Sequence, residues 1–174
     1  MNIPKVRSSS IARSRSRSAG ACERALPQAR IATELDGLPH QVVELVGAEL
    51  EPDAIIVDVG AGTGLFSSCF AHAMPRSTIF ALEVRTDALQ LLHEKVRNES
   101  LTGRVVPMRM GETAVPALPG GTKADLIFVC DVLDFVAPAI KESFLLSLRA
   151  LLGPQGRYTL HQLDRSLWMK SDDL

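Results

Sequence analysis

The sequence predicts an α/β fold: an open, mainly parallel sheet covered by helices on both faces. Three observations lead there. Short β-branched apolar runs alternate with segments of helical period, the pattern of successive βαβ units. Three glycines at alternate positions, Gly60, Gly62 and Gly64, stand where the first strand hands over to a helix. An acid, Glu83, ends the second strand 23 residues after Gly60.

The elements follow in order. Val42, Val43, Leu45, Val46 and Leu50 recur at helical spacing, and Pro52 closes that helix. Ala54 to Val59 is a short apolar run and the first strand. Leu65, Phe66, Cys69, Phe70 and Ala73 share one helical face. Thr78 to Leu82 is the second strand, and Thr86 to Asn98 a helix with Leu89, Leu92, His93 and Val96 on one side. Arg104 to Met108 reads as the third strand. A loop carrying Pro116, Pro119, Gly120 and Gly121 follows. Asp125 to Cys130 is the fourth strand. Ile140 to Leu152 is a helix ended by Gly153-Pro154, and Arg157 to Leu160 is the fifth strand.

With 46% hydrophobic and 22% charged residues, the 174-residue chain has an ordinary globular composition. At this length roughly 70% of the unfolded surface is buried on folding. No run approaches the ~18 apolar residues of a membrane span. Cys22, Cys69 and Cys130 are odd in number and contain no CxxC, against a disulfide scaffold or zinc ribbon. A reducing compartment, the cytoplasm, is the default.

Charge divides the chain. Residues 1–30 hold seven basic residues and one acid, Glu23, while residues 31–174 hold 12 basic and 19 acidic ones. The acidic part, 31–174, is the expected domain and a poor match for a nucleic-acid backbone. Residues 1–30, with Arg13-Ser14-Arg15-Ser16-Arg17-Ser18, have no hydrophobic period and are expected to be a disordered tail. Their Arg/Ser bias also fits an organelle-targeting peptide or a phosphorylatable segment.

The glycine turn carries the chemistry. After Ile55-Ile56-Val57-Asp58-Val59, the run Gly60-Ala61-Gly62-Thr63-Gly64 lets a ligand touch bare backbone. The next helix offers free N–H groups and a positive dipole end. A dinucleotide fingerprint wants Gly or Ala at the sixth position, where Leu65 stands. A phosphate loop wants Gly-Lys-Ser/Thr, and no lysine lies between Lys5 and Lys95. A carboxylate at Glu83 is placed to accept both hydroxyls of a ribose, a spacing that also fits NAD enzymes. A solvated strand-end acid is the plain alternative.

In its acid-x-Gly-x-Gly-x-Gly form the turn resembles the first motif of the class I S-adenosylmethionine-dependent methyltransferases. Met110-Gly111-Glu112 resembles the family's acidic step beside the adenine, a surface loop acid being the alternative. Ala124 to Leu133 is similar to its fourth-strand motif, and Leu151 to Arg157 to its turn into strand five. The similarity covers roughly residues 38–163. It implies a Rossmann-like fold and methyl transfer from S-adenosylmethionine to a small-molecule acceptor. Asp58, Gly60, Ala61, Gly62 and Gly64 would then line the cofactor, with Glu83, Glu112 and Cys130. Asp58 would fix the turn or meet the cofactor's amino group through water. Asp131, Asp134, His161 and Asp164 are candidates for a base, each more simply structural or solvated. The resemblance implies no metal, since Leu160-His161-Gln162-Leu163 replaces the acid–amide pair of metal-dependent members.

That family's core has seven strands, the last two an antiparallel hairpin. The chain ends at Leu174, so its C-terminal strands are expected to be incomplete. Residues 163–174 have room for one further helix but not for two strands with their connections, leaving strand five an uncovered edge for a partner or a second copy. A cofactor-binding domain without catalysis, and an NAD-dependent oxidoreductase, are the competing functions.

Overall fold

The strand before the glycine turn, β1 (Ile55–Val59), runs through the middle of the sheet and is buried at every residue but the first. The protein is seen in a computed structural model that describes residues 38–162 and 165–167, all within the unit Leu35–Leu174. On one side β1 pairs in parallel with β2 (Thr78–Glu83), and β2 with β3 (Val105–Arg109). On the other side it pairs in parallel with β4 (Ala124–Cys130), and β4 with β5 (Leu152–Gln162). With a sixth strand, β6 (Arg165–Leu167), beside β5, the strand order is β3-β2-β1-β4-β5-β6.

Side chains alternate across the sheet, so each strand feeds two cores. On one face α1 (Leu38–Gly47), α2 (Leu65–Ala73) and α3 (Thr86–Asn98) set Val43, Phe70 and Leu92 on Ile56, Ile79 and Phe128. Phe70 meets Phe128 edge-on, with ring centroids 5.2 Å apart. On the other face α4 (Pro138–Arg149) sets Phe144 and Leu148 on Val57, Val59, Ile127 and Tyr158. The crossover from β3 to β4 contains no α-helix. Its prolines interrupt helical hydrogen bonding, and a single 3₁₀ turn at Pro119–Gly121 follows Leu118, which plugs the core instead. None of the helices among the described residues is long and apolar enough to cross a membrane.

The C-terminal part departs from expectation twice. Helix α4 ends at Arg149, and Gly153-Pro154 lies inside β5 rather than after the helix. Leu152 already pairs with Ala124, and the register then jumps so that Arg157 pairs with Leu126. The extra residues bulge out, which accommodates a proline with no N–H to donate. Glycine is required at 156, where a Cβ would sit 2.6 Å from the Ala124 carbonyl oxygen. The second departure concerns the sheet edge. A short strand, β6 (Arg165–Leu167), runs antiparallel to β5, pairing Leu160 with Leu167 and Gln162 with Arg165. Residues 165–167 are therefore strand, not helix, and the far end of β5 is covered by the chain itself. The tail at residues 1–30, Asp164 and the side chain of His161 lie outside the described residues.

Candidate functional site

The chain crosses over beside β1: strands β2 and β3 lie to one side, β4 and β5 to the other. In open α/β sheets the crevice at such a crossover, beyond the C-terminal strand ends, is where ligands bind. The Gly60–Gly64 turn fills that position. Gly60, Gly62 and Gly64 all have positive φ, at 69°, 57° and 87°, where a Cβ is strained. The three differ in what surrounds them. A Cβ on Gly60 would strike Val132, which follows β4, and one on Gly64 would strike Leu92 of α3. A Cβ on Gly62 would meet nothing within 4 Å. The first and last glycines are thus demanded by packing, and the middle one presents bare backbone to open space.

Hydrogen bonds hold the turn in place. The Ala61 N–H donates to the Leu82 carbonyl at 2.9 Å, tying the turn to β2, and the Gly64 N–H donates to the Ala61 carbonyl at 2.8 Å. Glu83 reaches the same place from the end of β2. Its Oε2 accepts the Gly62 N–H at 2.7 Å and its Oε1 the Arg85 N–H at 2.8 Å, with the residue only 5% exposed. Each carboxylate oxygen keeps further accepting capacity for a ligand hydroxyl. The Met110 N–H donates to the Glu83 carbonyl at 3.0 Å, so the loop after β3 is pinned alongside.

Asp58, 2% exposed, lies at the root of the turn and accepts a 2.5 Å hydrogen bond from the Ser67 hydroxyl of α2. Burial pushes its carboxyl up to about 6, against which the Ser67 hydroxyl and N–H pull down; nearby Glu83 adds to the rise. The N-cap of α2, Gly64, has no side chain to satisfy the helix's first N–H groups. Asp58 supplies that acceptor from the neighbouring strand.

The other candidates sit around this core. Cys130 is half-buried at the end of β4, its thiol pushed up to about 12 by burial first and by Asp131 and Asp58 second. Asp131 follows with a positive φ of 54°, and Asp134 is exposed on the next turn. Glu112 is exposed, two residues beyond the pinned Met110. His161 stands opposite Cys130 in the β4–β5 register. Sequence reasoning missed Ser67 and Val132. Ser67 left one signal: a small polar residue in the first turn of the helix, three residues after its N-cap glycine. Val132 left none, since its approach to Gly60 depends on strand order.

A family model described as a methyltransferase domain matches residues 57–158, from β1 into β5. The chain belongs to that family. The methyltransferase domain is similar in fold to solved structures at low identity. A SAM-dependent methyltransferase from Aquifex aeolicus superposes with a TM-score of 0.64 at 19% identity, over 79% of this chain and 72% of that one. PKMT2 from Rickettsia typhi, solved with AdoHcy, gives 0.56 at 21% identity, over 64% and 21%. The mitomycin 7-O-methyltransferase MmcR gives 0.59 at 19% identity, over 79% and 40%. Against PKMT2 the domain spans about a fifth of the other chain's length, and against MmcR under half.

Proposed function

We propose that this methyltransferase domain binds S-adenosylmethionine at the glycine turn and passes its methyl group to a small-molecule acceptor. One observation carries the reading. At the strand crossover the Gly62 N–H is held by Glu83, while the space in front of Gly62 is open. An amino-acid chain fits against that bare backbone, and a ribose fits against the carboxylate beside it. The residues suit a cationic nucleoside: two buried carboxylates, Asp58 and Glu83, flank the turn. When bound, the sulfonium supplies the electrophilic methyl.

The protein's part is orientation. Ala61 anchors the turn to β2, Asp58 fixes its root through Ser67, and Gly60 and Gly64 allow it to pack. Glu112, on the loop held by Met110, is assigned to the adenine amino group, and Cys130 to the wall beneath the cofactor. Asp131 and Asp134, in the segment after β4 that carries Val132, are assigned to take a proton from an acceptor O–H or N–H. Cytoplasmic residence accords with the free thiols of Cys69 and Cys130. An organelle reached through residues 1–30 is the alternative, and tagged chains with and without them separate the two.

A thermal-shift panel tests the reading. S-adenosylmethionine and S-adenosylhomocysteine should raise the melting temperature, and NADH, NADPH and ATP should not. Radiolabelled methyl should then reach a small-molecule fraction of a cell extract. A shift with NADH alone would overturn the assignment in favour of an oxidoreductase. A shift with both adenosyl ligands and no transfer to any acceptor would leave a cofactor-binding domain without catalysis.

A further inference from the structure

Asp58 is a buried carboxylate. It is 2% exposed, on the central strand, and the groups that face it from neighbouring elements do little for a negative charge. From β2 comes Glu83, a like charge; from β4 comes the Cys130 thiol, and from α2 the Cys69 thiol. Ser67 alone favours the anion, through its hydroxyl at 2.5 Å and its backbone N–H. Ser67 is itself 1% exposed and sits in the first turn of α2, so its hydroxyl is fixed toward the strand.

We infer that Ser67 is a positioning residue for the candidate site. Its hydroxyl holds the Asp58 side chain as an anion at the root of the Gly60–Gly64 turn, and so prepares the turn for a cationic ligand. The inference rests on the proposed binding of S-adenosylmethionine and adds a residue to it. Removing the hydroxyl removes a hydrogen bond to a charged acceptor in a buried site. The protonated form of Asp58 then gains, and a cation at the turn loses its counter-charge. The loss depends on pH. It is large where Asp58 is half-ionised, and it vanishes where both proteins carry the anion.

Two measurements test this. Carboxyl-labelled aspartate, with the Asp58 signal assigned by Asp58→Asn, gives the titration of that group by NMR with no ligand present. In Ser67→Ala its midpoint should rise by about one pH unit. In Ser67→Thr, which keeps the hydroxyl, it should stay. Calorimetry with S-adenosylmethionine should then show Ser67→Ala binding about fivefold more weakly near pH 6 and nearly as well as the parent near pH 8. Ser67→Cys, with its weak donor, serves where alanine impairs folding. An Asp58 midpoint unmoved by the substitution, or an affinity loss equal at both pH values, overturns the role. A parent protein that binds no adenosyl ligand, with the Asp58 midpoint still moving on substitution, sinks the ligand reading and spares the Ser67–Asp58 coupling.

Discussion

Asp58 is the residue where burial and charge oppose each other most directly, and this has a consequence for stability. Its carboxyl ionises near 3.8 in an exposed chain and near 6 in the folded one. Between those values the unfolded chain has released its proton and the folded chain has kept it. The unfolded state then binds fewer protons, so stability falls as pH rises through that window and stays lower above it. The full cost is on the order of 3 kcal/mol. Urea unfolding at pH 4, 5, 6 and 7 should show this component in the parent and not in Asp58→Asn. Parallel curves for the two would mean that Asp58 is not held up by burial. Gly62 makes the complementary prediction. With open space around its Cβ position, Gly62→Ala should fold, at a cost of about 1–2 kcal/mol for the left-handed backbone. It should nonetheless lose most of its response to S-adenosylhomocysteine in thermal shift, because the new methyl occupies the ligand's side of the turn. Normal binding by this variant would move the site elsewhere.

At the scale of elements, α2 and α3 are what give the turn its shape. Helix α2 follows its N-cap Gly64, is capped from below by Asp58, and rests Phe70 on Phe128. Helix α3 presses Leu92 against Gly64. A side chain at 64 therefore meets both a strained φ of 87° and the body of Leu92. Gly64→Ala should destabilise the domain clearly more than Gly62→Ala, and denaturant midpoints measured side by side decide it. Phe70→Ala, at a position with no exposure, should cost about 3–5 kcal/mol and separate the helix from the sheet. A loss under 1 kcal/mol there would show that the ring is not part of the load between α2 and β4. A polar network on the outer side joins the same helices. Glu99 accepts from Ser68 and pairs with Lys95 at 2.8 Å, with His72 3.3 Å away. Ser68 is buried, Lys95 and Glu99 are half-buried and His72 is exposed, and together they fix the helix pair in register.

For the whole molecule, the sheet and its edges matter most. A ligand that binds only the folded domain stabilises it by about 2.7 kcal/mol at a hundred times its dissociation constant. For a domain of this size that is a rise of roughly 10 °C in melting temperature. A saturable rise of that order with S-adenosylhomocysteine is the expected result, and its absence would leave the glycine turn a structural bend. The short β6 covers the end of β5 with antiparallel pairing. A chain stopped after Gln162 would bare that stretch of backbone N–H and C=O groups, and light scattering should show it associating more readily than the full chain. Equal solubility of the two would mean that β6 is not what protects the edge.

Much of this protein was legible along the chain. The order of strands and helices through β4, the span Thr86–Asn98, and the placing of Gly60–Gly64 and Glu83 at neighbouring strand ends follow from local periodicity and turn chemistry. These are short-range properties, set by residues a few positions apart. What depended on distant residues meeting was settled only in three dimensions. The bulge that takes Gly153-Pro154 into β5 exists because Leu152 finds Ala124 and Arg157 finds Leu126. The division of labour among the glycines arises because Val132 and Leu92 arrive beside two of them and nothing arrives beside the third. Asp58 finds its partner nine residues away on another element, and burial then shifts its ionisation. Periodicity encodes which face of each segment is apolar; packing decides which side chains share that face, and with it how far a charge there is removed from water.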